Sequence, residues 1–383
     1  MKPGGWLRGG LAVCLALCLW ACTPASLTPE VTASPTAEPL PQASITPVPP
    51  TPVQPAPAVT AVPLITLALT AAPATPTANP DPNLLAQYAP WSLGHAAAWS
   101  PGGDVLAVSA GEVVYFYDRH SLQEQGQIDL GAWGAGLAFN PVDENLLAVA
   151  GRDGALQLWD VAKQQRLATQ AAHARGVNSL AFSPDGLYLA STGNDAMVRL
   201  WQVSALLSGE PVQPQAVMIG GASAVPAIRY SPDGALVASI DLQVVRLRDP
   251  LTQRLARTLY GENSMFTLAF SPDGQWLAAG ELGSQVRVWN AATGEETMLL
   301  TADAADADPA RAFVWSLDFS ADGRLLAAGS SAGTLTVWSL PAGEVVSVIR
   351  AHSKAVSGLA FDPLEPRLAS CGLDAAVRIW SIP

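Results

Sequence analysis

From residue 83 onward, apolar and polar positions alternate in short runs separated by turn residues. The stretch 179–202 shows the pattern. Leu180 and Phe182 alternate with smaller residues, as in a half-buried strand. Ser183, Pro184, Asp185 and Gly186 then predict a turn, because Pro presets φ at the second position and Gly accepts positive φ at the fourth. Residues 187–192 predict the next strand, Gly193 to Ala196 another turn, and 197–201 a third strand. The first turn recurs at Ser231, Pro232, Asp233, Gly234 and at Ser271, Pro272, Asp273, Gly274. It persists with substitutions at Ser100, Pro101, Gly102, Gly103 and at Ser320, Ala321, Asp322, Gly323.

Two positions mark the repeat. The first is Trp99, Phe139, Phe182, Tyr230, Phe270, Phe319 and Phe361; the second follows after about 20 residues, at Tyr117, Trp159, Trp201, Arg248, Trp289, Trp338 and Trp380. Seven copies of 40 to 49 residues outweigh the two or three domains that 383 residues alone would suggest. The last copy stops after its third strand. Residues 83–88 precede the first copy at the spacing of a fourth strand, so they are expected to complete the last one and remove two open sheet edges.

This chain resembles the WD-repeat family over residues 83–383. The best matches are the runs from Asp195 to Trp201 (DAMVRLW) and from Asp374 to Trp380 (DAAVRIW), with His173 and His352 nine residues before the first aromatic. Arg248 departs from the expected Trp, and other copies lack the His. The resemblance implies an all-β, seven-bladed β-propeller of four-stranded antiparallel blades, the last closed by the N-terminal strand.

His173, Ser191, Asp195 and Trp201, and again His352, Ser370, Asp374 and Trp380, contain the residue types of a hydrolase triad. In WD-repeat proteins these four positions form a buried hydrogen-bond network within one blade. The set also occurs twice at equivalent positions, which suits a structural device better than a unique active site. His95 and His120 lack such company and are expected at the surface.

The N-terminal residues read differently. Lys2 and Arg8 precede an apolar run at 11–20, the pattern of an export signal and too short for a spanning helix. Leu19, Trp20, Ala21 and Cys22 resemble a bacterial lipoprotein signal, with Trp20 where a small residue is usual. Cys22 would then carry several acyl chains, each buried CH₂ contributing ~0.8 kcal/mol to anchoring. Residues 23–82 hold 16 of the 32 Pro, 11 Thr and no Lys or Arg. Pro removes backbone donors and fixes φ, so this stretch predicts an extended tether reaching up to ~180 Å at ~3.1 Å per residue.

A net charge of −12 argues against nucleic acid as a partner, since that binding needs Lys and Arg to displace counterions. Of four Cys, three lie in the first 22 residues and only Cys371 lies beyond, so the ring must be stable without disulfides. Asp303, Asp306 and Asp308 sit in a loop interrupted by Ala and Pro, a poor match to a calcium site and a better one to a solvated acidic loop. No Walker loop, dinucleotide fingerprint or zinc spacing is present, and no cofactor is expected.

Two classes of function stay open. The first is a monomeric interaction module, held by lipid to the outer face of a bacterial membrane, that binds a protein or peptide. The second is an extracytoplasmic propeller enzyme of hydrolase or lactonase type, or a ligand-sensing propeller. For the first, the resemblance places partners at the loops entering the innermost strands. By spacing these contain Trp133, Arg175, Asn263, Phe313 and Lys354, together with Asp303, Asp306 and Asp308 in an insertion of about seven residues.

Overall fold

The computed structural model describes residues 83–88, 92, 94–221, 223–302 and 312–383. Cys22, the residues 23–82, and Asp303, Asp306 and Asp308 lie outside the described residues.

Seven four-stranded antiparallel sheets follow one another along the chain. Their innermost strands are Gly94–Trp99, Gly134–Phe139, Val177–Phe182, Ile228–Tyr230, Met265–Phe270, Val314–Phe319 and Val356–Phe361. Each touches the next, and the seventh touches the first, so the sheets are blades around a closed ring. Apart from a helical turn at Val203–Leu206, the regular structure of the described residues is β.

The second strand of each blade shows why blades stack. It places a large residue beside a small one: Leu106 and Ala107, Leu147 and Ala148, Leu189 and Ala190, Leu277 and Ala278. In a strand these neighbours point to opposite faces. Leu147, with Phe139 and Trp159, packs on Ala107 of the preceding blade; Leu189, with Phe182 and Trp201, packs on Ala148. A large, aromatic-rich face therefore meets a small one at these seams.

The turn after the third innermost strand behaves as its residues dictate. Gly186 has φ +69° and its N–H donates to the Ser183 carbonyl at 2.8 Å. Asp185 accepts from the Ser183 hydroxyl at 2.5 Å and from the Leu187 N–H at 3.0 Å.

Closure is by the N-terminal strand, as the spacing predicts. Leu84–Tyr88 pairs antiparallel with Val377–Ser381 as the outermost strand of the seventh blade. Tyr88 is buried and stacks on Tyr117 of the first blade at 4.3 Å. At the seam between these blades, Arg119 donates to Asp362 at 3.2 Å and pairs with Glu365, while Arg367 donates to the Arg119 carbonyl.

Candidate binding face and the buried blade networks

In the third blade a chain of donors runs inward from Trp201. Its Nε1–H donates to Ser191 Oγ at 2.9 Å, and Ser191 Oγ lies 2.8 Å from His173 Nε2. On the other side of the ring, His173 Nδ1 lies 2.8 Å from Asp195 Oδ1. With Ser191 donating to Nε2 and Nδ1–H donating to the carboxylate, Trp201, Ser191, His173 and Asp195 are all partnered; Arg199 Nη1 also lies 2.7 Å from Nδ1 and then bonds to the carboxylate instead. The seventh blade repeats this with Trp380, Ser370, His352 and Asp374 at the same distances. Both His side chains are wholly buried. Burial draws each imidazole below its ordinary value, against the pull of the neighbouring carboxylate.

A fifth member is Arg199 or Arg378. Arg199 Nη1 donates to Asp195 Oδ2 at 2.7 Å, and Arg378 Nη1 to Asp374 Oδ2 at 3.1 Å. Sequence reasoning passed over both, although each lies four residues after its Asp. Burial alone would raise the Asp374 carboxyl, but hydrogen bonds from His352 and Arg378 outweigh it and hold the group well below the usual carboxylate range.

At one mouth of the ring, the loops entering the innermost strands split into two groups. Trp133 is 42% exposed, and Arg175 and Lys354 are also exposed. Asn263 and Phe313 are half-buried. Asn263 donates to Gln285 at 3.4 Å, while Phe313 packs between Phe266 and Trp315 with ring centroids at 4.6 and 5.3 Å.

His120 is exposed, but His95 is not the surface residue its isolation suggested. It lies half-buried on Gly94–Trp99 with its ring 5.6 Å from Trp133. Burial, then the charge of Arg152, draws its imidazole down to about 4. His95, Phe266 and Trp315 occupy one register position, four residues before the first aromatic, which is the signal that could have found them.

Four stretches of the chain, 164–202, 253–290, 308–339 and 343–381, match the WD40 family, described as WD domain, G-beta repeat. These four stretches are similar to WD40 repeats.

Curated relatives with similar sequence include the periodic tryptophan protein 2 homolog of Dictyostelium discoideum, 24% identical over 290 residues, which cover 73% of this chain and 25% of the relative. Nuclear distribution protein PAC1 of Arthroderma benhamiae is 42% identical over 85 residues, 22% of this chain and 17% of the relative. Pre-mRNA-processing factor 19 of Bos taurus is 28% identical over 153 residues, 39% of this chain and 29% of the relative. The chain thus spans less than a third of each of these proteins. WD40 propellers of this kind generally mediate protein interactions.

The fourth and fifth blades depart from the WD40 network in a shared way. Where the third and seventh have His173 and His352, they have Gly221 and Gly261. Where the third and seventh have Gly193 and Gly372, they have Asp241 and Glu281. A Cβ on Gly193 would come within 2.5 Å of His173 Nδ1, and one on Gly261 would overlap the Glu281 carboxylate. The same space is filled from opposite strands. An Arg holds one register position in all four blades: Arg199, Arg246, Arg287 and Arg378 face Ser191, Ser239, Ala279 and Ser370 across the ladder. Arg246 binds Asp241 at 2.5 Å, and Arg287 binds Glu281 at 2.8 Å.

Among the described residues no three His, Cys, Asp or Glu converge as metal ligands would. A cleft of about 290 Å³ lies away from the mouth, between the first and second blades, lined by residues that include Asp104, Gln125, Glu144 and Gln164.

Proposed function

We propose that this WD40 propeller is an extracytoplasmic interaction scaffold, tethered by a lipid on Cys22 through residues 23–82 and binding a protein or peptide at the mouth that carries Trp133. The observation that carries the reading is the contrast in exposure. The two His-containing sets are sealed inside blades, with both ring nitrogens engaged. Trp133 is 42% exposed, Arg175 is exposed on the neighbouring entrance loop, and Lys354 is exposed on that of the seventh blade, with the first blade between. An exposed Trp with an Arg on the adjacent loop is the composition of a binding hot spot. Asp303, Asp306 and Asp308 add negative charge to the same face by their place in sequence, which favours a partner with a basic or amide-rich surface. Its association would slow as salt rises.

Among the described residues no helix is long and apolar enough to cross a membrane, and the proposed attachment is by the Cys22 lipid alone. The test has two arms. Fatty-acid labelling should mark the wild type and not Cys22→Ala, which should stay unprocessed or leave the membrane fraction. Cross-linking from native membranes should then capture a partner with wild type that Trp133→Ala loses. No fatty-acid label on wild type sinks the tether; capture by Trp133→Ala at the wild-type level sinks the mouth.

A further inference from the structure

The residue just before the first aromatic is alanine in five blades: Ala98, Ala138, Ala181, Ala269 and Ala360. In the fourth and sixth blades it is Arg229 and Asp318. Both lie on innermost strands, whose inner edges have no further strand to pair with and so turn backbone N–H and C=O groups to the lumen.

Asp318 uses two of those groups. The Phe361 N–H of the seventh blade donates to Oδ2 at 2.7 Å, and the Phe319 N–H to Oδ1 at 3.0 Å. Arg229 donates from Nη1 to the Ile228 carbonyl at 2.7 Å and to Ser179 Oγ of the third blade at 3.2 Å. Its Nε and Nη2 donate to no described residue. These two nitrogens form the side of the guanidinium that takes a carboxylate with two parallel hydrogen bonds.

The fifth blade stands between the fourth and the sixth, so Arg229 and Asp318 lie two blades apart at one register level of the ring, close enough for their charges to attract. They make no direct ion pair. Burial draws the Arg229 guanidinium below its ordinary value and pushes the Asp318 carboxyl up to about 6, each effect moderated by the other charge. Both side chains are half-buried, so two opposite charges held apart here keep part of the cost of desolvation. A molecule bearing both charges would relieve it at both ends.

We propose that the lumen between the fourth and sixth blades binds a small organic zwitterion, its carboxylate on Arg229 Nε and Nη2 and its ammonium group toward Asp318. This site is separate from the mouth at Trp133, and its test uses purified protein without any protein partner.

The test is calorimetric titration of the whole protein with glycine, β-alanine, γ-aminobutyrate and ε-aminocaproate, alongside acetate, methylammonium and N-acetylglycine. The expected result is binding that peaks at one chain length, with acetate and N-acetylglycine weaker by about tenfold, since a charged hydrogen bond is missing. Arg229→Met should abolish binding, and Arg229→Lys should restore part of it. Asp318→Asn should reduce the best zwitterion to the level of acetate. The wild-type series is decisive even if a variant folds poorly. No binding by any zwitterion would mean a lumen filled by water alone and would overturn the proposal. N-acetylglycine binding as tightly as the best zwitterion would also overturn it, pointing to the carboxylate end of a peptide. So would unchanged binding in Arg229→Met and Asp318→Asn.

Discussion

The third and fifth blades have the same four-strand pairing and the same Trp register, yet hold their interiors together differently. In the third, His173 reaches in from the loop before the blade and lies over Gly193, bridging Ser191 and Asp195. In the fifth the loop carries Gly261, and Glu281 rises from the second strand to take the space. Arg287 then closes the cluster, bonded to Glu281 at 2.8 Å and to Glu296 at 2.5 Å. The third blade spreads the task over four neutral or ionised groups; the fifth concentrates it in an ion pair. In the four blades that carry this Arg, the space beside it is filled by something that accepts hydrogen bonds. That is why the His can disappear from a blade without loss of architecture.

The comparison fails first, if it fails, at Glu281. Arg287 is 3% exposed and Glu281 is fully buried. Glu281→Ala would leave a buried guanidinium with only the exposed Glu296 and Glu262 nearby, and should cost roughly 3–5 kcal/mol in urea unfolding. A cost below about 1 kcal/mol would show that the pair is not what holds this blade.

The third and seventh blades should respond less to single changes, because their load is shared. Asp195→Ala and Asp374→Ala should each cost roughly 1–3 kcal/mol by leaving the imidazole and Arg without their acceptor. Neither should abolish partner capture in the cold. Melting curves identical to wild type would remove both Asp from the network.

Acid should separate the two solutions. The folded imidazoles lie below their ordinary value of 6.5, so the unfolded chain takes up protons first, and stability falls as pH drops below about 6.5. Asp195 and Asp374 are held below 3.8 in the fold, so their contribution is present above that value and lost as pH falls further. Both effects have the same sign. Replacing His173 and His352 together by Gln should lower stability at neutral pH yet flatten its decline between about pH 7 and 5. An unchanged slope would mean that these His do not govern the acid limb.

Much of the ring was legible because each blade spells out its own local rules. The Ser-Pro-Asp-Gly turns, the alternation around Leu180 and Phe182, and the strand-length gap filled by residues 83–88 are all local signals. The swap of His173 and Gly193 for Gly261 and Glu281 was not legible, because it exchanges residues that are distant in sequence but share one space. His95 was misjudged for a related reason. Seven innermost strands converge on one axis, so a residue with no polar neighbours in sequence can still be enclosed. Arg229 and Asp318 gave a signal in register, two charges in a column of alanines, but their relation depends on the lumen between them. Of the loop residues, Trp133, Arg175 and Lys354 are exposed, whereas Phe313 turns in to join Phe266 and Trp315, a difference that spacing alone does not carry.

The smallest expected effect on stability is at the mouth. Trp133→Ala should change unfolding free energy by no more than about 1 kcal/mol, since the side chain is 42% exposed and its one ring contact is with His95. It should nonetheless speed release of a captured partner. Replacing Asp303, Asp306 and Asp308 by Asn should slow association instead, which surface plasmon resonance at two salt concentrations would separate.

The claim that this propeller works through one mouth is tested most directly by site-specific photo-cross-linking in native membranes. A photoreactive side chain would replace Trp133 or Lys354 at the proposed mouth, and Leu187 or Leu364, both exposed, in the turns at the opposite one. The account predicts a shared cross-linked product from Trp133 and Lys354 and none from Leu187 and Leu364. A product from Leu187 and Leu364 alone would contradict it.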